Sequence, residues 1–121
     1  MNPLKKLITW FDEQCNSKWE HQFGVKIETL DNPGWLVLID LMDTKYNNFP
    51  FPEFSKNVSE IFIQQSKGNF KKSRLAEEPK DLKDWCHIFK QNDQIKIACS
   101  SNNLESSIDY FIKWTKEVLS E

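Results

Sequence analysis

Residues 19–41, WEHQFGVKIETLDNPGWLVLIDL, decide how this chain is read, because two strand patterns flank a single turn. Val25, Ile27 and Thr29 alternate with Lys26 and Glu28, the period-two signature of a strand with one drier face. Residues 35–41 are nearly all apolar. Between them Asp31-Asn32-Pro33-Gly34 supplies a side-chain acceptor, a residue tolerant of positive φ, a fixed φ and a permissive glycine, which together join the strands into a hairpin. A four-residue loop would pair Leu30 with Trp35. That register puts Ile27 beside Leu38 and Thr29 beside Leu36 on one face, with Glu28 beside Val37 and Lys26 beside Ile39 on the other.

A second hairpin is predicted over residues 84–91 and 94–100, around Asn92-Asp93, a pair suited to a tight two-residue turn. It sets Ile88 beside Ile97 and Cys86 beside Cys99 on one face, leaving Trp85, His87 and Phe89 with Lys96 on the other. Helices flank the strands. Asn2-Pro3 reads as N-cap and first position of a helix whose stripe is Leu4, Leu7, Ile8, Phe11 and Cys15, ending near Ser17. Asn102 with Glu105 resembles a capping box, followed by Leu104, Ile108, Phe111, Ile112, Thr115 and Leu119 on one face of a second helix. In the middle, residues 46–54 read as an aromatic and proline loop, residues 58–64 as a strand, and residues 67–83 as a solvated loop or short helix. The expected fold is α+β over residues 1–121: one domain, an antiparallel sheet of four to five strands built on two hairpins, and both terminal helices packed on one face. Parallel βαβ winding is not supported, and neither GxGxxG nor GxxxxGK[ST] occurs.

Composition narrows the function classes. In 121 residues the chain carries nine Phe, five Trp and two Tyr, too many aromatics for a disordered segment. The formal net charge is −2, and Arg74 is the lone arginine, so the bidentate contacts that read phosphate and guanine are missing and nucleic-acid binding is disfavoured. No apolar run approaches the roughly 20 residues that span a bilayer. The amino terminus reads as an amphipathic helix without a signal-peptide core, which points to the cytoplasm. Cys15, Cys86 and Cys99 lie far apart with no CxxC pair, as expected of reduced thiols. A metal site is disfavoured, because Cys86 and His87 point to opposite faces of one strand.

Three segments carry a family likeness: WEH at 19–21, GVKIETLDNPGW at 24–35 and IDL at 39–41. Together they resemble the hallmark of the immunity protein 53 family of bacterial polymorphic toxin systems. The likeness extends to Trp10 and Cys15 of the first helix, and to Asp84-Trp85 leading through the second hairpin to Leu104, Phe111 and Trp114. The chain departs from the pattern at residues 94–100, where such proteins tend to have glycines, and in a longer middle at residues 42–83. The resemblance implies a protein that is not an enzyme and needs no cofactor. Its role would be to bind a cognate toxin stoichiometrically and neutralise it, as a monomer or weak homodimer.

The residues themselves suggest where such a contact would form. If the helices cover the face of Ile27, Leu38, Ile88 and Ile97, the opposite face shows Trp35, Val37, Ile39, Trp85 and Phe89 among Lys26, Glu28, His87 and Lys96. Aromatic anchors inside a charged rim are the composition of a protein interface, unless residues 46–54 fold over and bury them. Glu20 and His21 add acidic and switchable contacts for a basic partner, or else cap the helix end. The candidate partner-binding residues are therefore Glu20, His21, Glu28, Trp35, Trp85 and His87. Two alternatives stand beside this reading. One is a small thiol-dependent, sulfurtransferase-like enzyme using Cys99 near a helix start with His87 or His21 as base, against which Cys99 is a small hydrophobe in a strand without a nearby arginine. The other is an adaptor domain whose partner is not a toxin.

Overall fold

The computed structural model describes residues 2–68 and 78–120. Helix α1 (Pro3–Gln14) starts as its sequence dictates: the Asn2 side chain accepts the Lys5 amide at 2.8 Å, and Pro3 occupies a first-turn position where no amide is needed. It stops at Gln14, short of the expected Ser17, which takes a left-handed φ of 77°. A short helix α2 (Trp19–Gln22) follows. Strands β1 (Val25–Leu30) and β2 (Gly34–Asp40) form the first hairpin, and β3 (Phe54–Lys56) and helix α3 (Glu60–Ser66) come next. Strands β4 (Cys86–Gln91) and β5 (Gln94–Cys99) form the second hairpin, after which a 3-10 turn (Ser101–Asn103) leads into helix α4 (Leu104–Leu119). All pairings in the five-stranded sheet, ordered β1-β2-β5-β4-β3, are antiparallel, so the α+β expectation holds.

The second hairpin has the register its turn predicts. Asn92 and Asp93 both take positive φ, as a two-residue turn of the primed type requires, and Cys86 faces Cys99 while Ile88 faces Ile97. The first hairpin is one residue out of the predicted register. Leu30 pairs with Gly34 and Thr29 with Trp35, so the loop is Asp31-Asn32-Pro33 and Gly34 belongs to the strand. A Cβ on Gly34 would lie 2.8 Å from Trp85 Cζ2 and 2.9 Å from the Cys99 carbonyl, so this glycine serves a close approach of neighbouring groups. The slip moves Trp35, Val37 and Ile39 to the face of Ile27, Ile88 and Ile97, and sends Leu36 and Leu38 to the other.

Residues 58–64 are mainly helix, against the predicted strand. Ser59 is the reason: its hydroxyl accepts the Phe62 amide at 3.0 Å and caps α3, while the nearby strand β3 begins at Phe54, the last residue of the segment read as loop. The Asn102–Glu105 capping box also does not form. Asn102 donates to the Lys83 carbonyl, and Asn103, the actual cap position, donates to Asp84 and the Trp85 carbonyl, tying the helix start to the loop before β4. The segment read as loop or short helix at residues 67–83 lies largely outside the described residues.

Helices α1 and α4 cover the face bearing Val37, Ile39, Ile88, Ile95 and Ile97, where Trp10, Phe111 and Trp114 fill the core. Aromatic edges meet faces here: the Trp10 and Phe111 centroids are 5.1 Å apart at 82°. The loop at residues 46–54 closes over this same side, because Trp114 Nε1 donates to the Pro50 carbonyl and the Tyr110 hydroxyl to that of Pro52. On the opposite face α3 presses Phe62 against Trp85, Leu36, Leu38 and Ala98, with the Phe62 and Trp85 rings 5.4 Å apart.

Candidate partner-binding site

The six residues singled out from sequence do not form one surface. Trp85 and His87 are 0% exposed. The predicted aromatic face exists in part, since Trp85, His87 and Phe89 share a side, but α3 seals it, where the sequence left it either bare or buried under residues 46–54. Trp35 lies on the helix-covered face, half-buried, with its indole N–H donating to Ser101 Oγ at 2.9 Å. Glu20 is a structural acid: it accepts the Asn16 and Ser17 amides at 2.9 and 2.8 Å and holds the turn after α1. Backbone amides, its own first and then that of Asn16, keep its carboxyl below the ordinary range. His21 and Glu28 are exposed and reachable.

His87, itself buried, sits in a relay that reaches the surface. Its Nδ1 is 2.8 Å from Ser66 Oγ and its Nε2 is 2.8 Å from Glu53 Oε2, while Glu53 also accepts from Lys67 Nζ at 2.8 Å. Burial pushes the His87 pKa down, against the opposing pull of Glu53. A neutral ring then donates from Nε2 to Glu53, and its Nδ1 shares the one Ser66 hydroxyl proton with the Ile63 carbonyl, 2.9 Å from Ser66 Oγ. For Glu53, burial acts upward, but the hydrogen bonds and charges of Lys67 and His87 together leave its pKa lowered. The arrangement fastens the end of α3 to β4. It also fixes the sign of a pH effect: the unfolded histidine takes a proton near its ordinary 6.5, which the folded one refuses until lower pH. Stability contributed by neutral His87 is complete above that value and is lost as pH falls below it. The urea midpoint should therefore drop between about pH 7 and 5.5, and His87→Gln, which cannot charge, should flatten that drop. Equal pH slopes in both proteins would contradict the assignment.

Burial works against Cys86 and Cys99 as nucleophiles. Cys86 and Cys99 face each other across the hairpin, and burial pushes Cys99 up to about 12 and Cys86 upward as well. A thiol so raised holds almost no thiolate at neutral pH. The helix start near Cys99 does not offset its burial.

Two grooves flank α1. The larger, about 530 Å³, runs between α1 and α4. Trp10, Tyr46, Ile112 and Thr115 line it with Lys6, Glu13 and Lys116. Tyr46 is held above its ordinary pKa, by burial first and by Glu13 second, and its hydroxyl lies beside the Trp10 indole N–H without completing a hydrogen bond to it. The smaller, about 200 Å³, lies between α1 and β1 and is lined by Leu4, Leu7, Ile8, Phe11, Val25 and Ile27. Sequence reasoning missed the first groove, because its walls lie about a hundred positions apart: Lys6 meets Asp109 at 3.2 Å, 103 residues away. The spacing of Thr9 and Glu13 on the outer side of α1 was the one available signal.

Among the described residues no helix is long and apolar enough to cross a membrane. Comparison with curated proteins and with solved structures finds no match. The sequence profile described as immunity protein 53 matches residues 4–116, which takes in the whole sheet, the α1–β1 groove and most of both terminal helices, while Leu119 and Ser120 at the end of the α1–α4 groove lie beyond it. The chain belongs to the immunity protein 53 family.

Proposed function

We propose that this protein neutralises a cognate bacterial toxin in the cytoplasm of the producing cell, by stoichiometric binding and without catalysis or a cofactor. The family match over residues 4–116 is the observation that carries the reading. The buried, raised thiols favour it over a sulfurtransferase-like enzyme.

The α1–α4 groove is the surface we assign to the toxin. It is concave, it offers an aromatic and aliphatic floor, and charges of both signs stand on its rim, the combination that suits a projecting side chain of a partner. His21, exposed in α2, and the half-buried Trp35 are kept as further candidate contacts outside the groove lining. Trp85 and His87 act from the interior by holding the sheet and α3 in place.

Co-expression with the toxin domain encoded beside this gene should restore growth, and the purified pair should elute as a stoichiometric complex. Thr9→Trp, an exposed change that fills the groove, should weaken the complex at least tenfold, on the order of 1.4 kcal/mol, with the fold intact. Protection with Thr9→Trp at undiminished affinity would move the toxin contact elsewhere. Failure of the wild type to protect or bind would favour an adaptor with another partner.

A further inference from the structure

The free edge of β1 carries a second surface with its own logic. β1 is a terminal strand of the sheet, and its middle residues, 26–29, are all exposed. The Asp40 amide donates to the Gly24 carbonyl, which sets the phase of the β1–β2 ladder. Gly24, Lys26, Glu28 and Leu30 therefore turn their backbone groups toward β2, and Val25, Ile27 and Thr29 turn theirs outward over the open edge. An open edge of this kind is a template for another strand whose charges match Lys26 and Glu28. Directly above it Leu4 and Ile8 are 48% and 51% exposed, with Ile27 at 40%, an apolar strip along the α1–β1 groove.

We infer that β1 pairs with β1 of a second copy of this chain, antiparallel about a two-fold axis at Ile27. Charge selects the occupant and the register. Because the outward groups belong to residues 25, 27 and 29, a symmetric antiparallel pair can be centred on residue 26, 27 or 28. Centring on 26 sets Lys26 directly against its own copy, and centring on 28 does the same for Glu28; both are repulsive. Centring on Ile27 uses all three outward residues, sets Val25 opposite Thr29, and places Lys26 against Glu28 of the other copy twice over, in the closely spaced positions of the ladder. The five-stranded sheet becomes ten-stranded. On the helix side Leu4 and Ile8 of the two α1 helices then approach each other across the axis, so the exposed apolar strip is covered by its own image. This pairing leaves the α1–α4 groove open and does not depend on the toxin reading.

Sedimentation equilibrium on the full chain, from roughly 1 µM to 1 mM, tests it. The wild type should dimerise. Lys26→Glu and Glu28→Lys should each raise the dimer dissociation constant about tenfold or more, since each turns two attractive pairs into two repulsive ones. The double change K26E/E28K should recover the wild-type constant, and an equimolar mixture of the two single variants should associate more tightly than either alone. Unchanged circular dichroism and melting confirm that the exposed substitutions leave the fold intact. A wild type that stays monomeric throughout, or a double variant no tighter than the singles, overturns the assignment.

Discussion

Trp85→Ala should lower the free energy of unfolding by about 3–5 kcal/mol, the range for truncating a large buried aromatic. Trp85 is the largest side chain in the sealed interior between the sheet and α3, 0% exposed and edge-on to Phe62. Its loss leaves Phe62, Leu36 and Leu38 around a cavity that a backbone held by strand pairing cannot collapse to fill. One feature tempers the cost. The indole N–H is buried without a hydrogen-bond partner, so Trp85→Phe removes an unmet donor along with the extra ring and should cost much less than alanine. Urea unfolding of both variants measures this. Read from sequence alone, Trp85 was an interface anchor whose truncation would cost binding; buried, it should cost stability, with toxin affinity of the folded fraction unchanged. A Trp85→Ala protein of wild-type stability and weakened toxin binding would restore the surface reading.

Gly34→Ala should destabilise by about 1–3 kcal/mol, a large effect for one methyl group. Its Cβ would meet Trp85 Cζ2 at 2.8 Å, the Cys99 carbonyl oxygen at 2.9 Å and Asn32 Oδ1 at 3.0 Å. A ring can tilt, but the carbonyl belongs to the adjacent strand and can move only with the ladder. The two substitutions should therefore couple. In the Trp85→Ala background the penalty of Gly34→Ala should shrink without vanishing, since the contact with Cys99 remains. Additive costs in the double variant would show that the ring and the glycine do not constrain each other.

The fold class was legible because helix stripes and strand alternation survive at the level of single elements. Asn92-Asp93 fixed the second hairpin, since two residues able to take positive φ leave room for only one register. Gly34 misled the reading of the first. A glycine after proline looks like turn chemistry, and its true reason, the approach of Trp85 and Cys99, lies 51 and 65 positions away. Residues 58–64 misled in another way: Val58, Ile61 and Ile63 favour strand, while Ser59 as a cap and Phe62 as a plug for the Trp85 face tip the segment to helix. The candidate site was the least legible part. Trp35, Trp85 and His87 were identified by residue type, and type does not reveal that α3 covers Trp85 and His87 while Trp35 packs on the side of α1 and α4. The α1–α4 groove exists only once the ends of the chain meet.

That meeting has a consequence for when the protein becomes useful. The interior strand β2 finds its inner neighbour only in β5, through pairs such as Val37 with Ile97, and α1 packs against α4. While the ribosome is still making residues 42–93, the first forty residues have only the β1–β2 hairpin as a finished sheet contact, and an isolated hairpin is marginal in water. Such long-range closure is slow compared with local helix formation. The fold, and with it the toxin contact proposed above, is thus completed as a step, when the segment through α4 emerges.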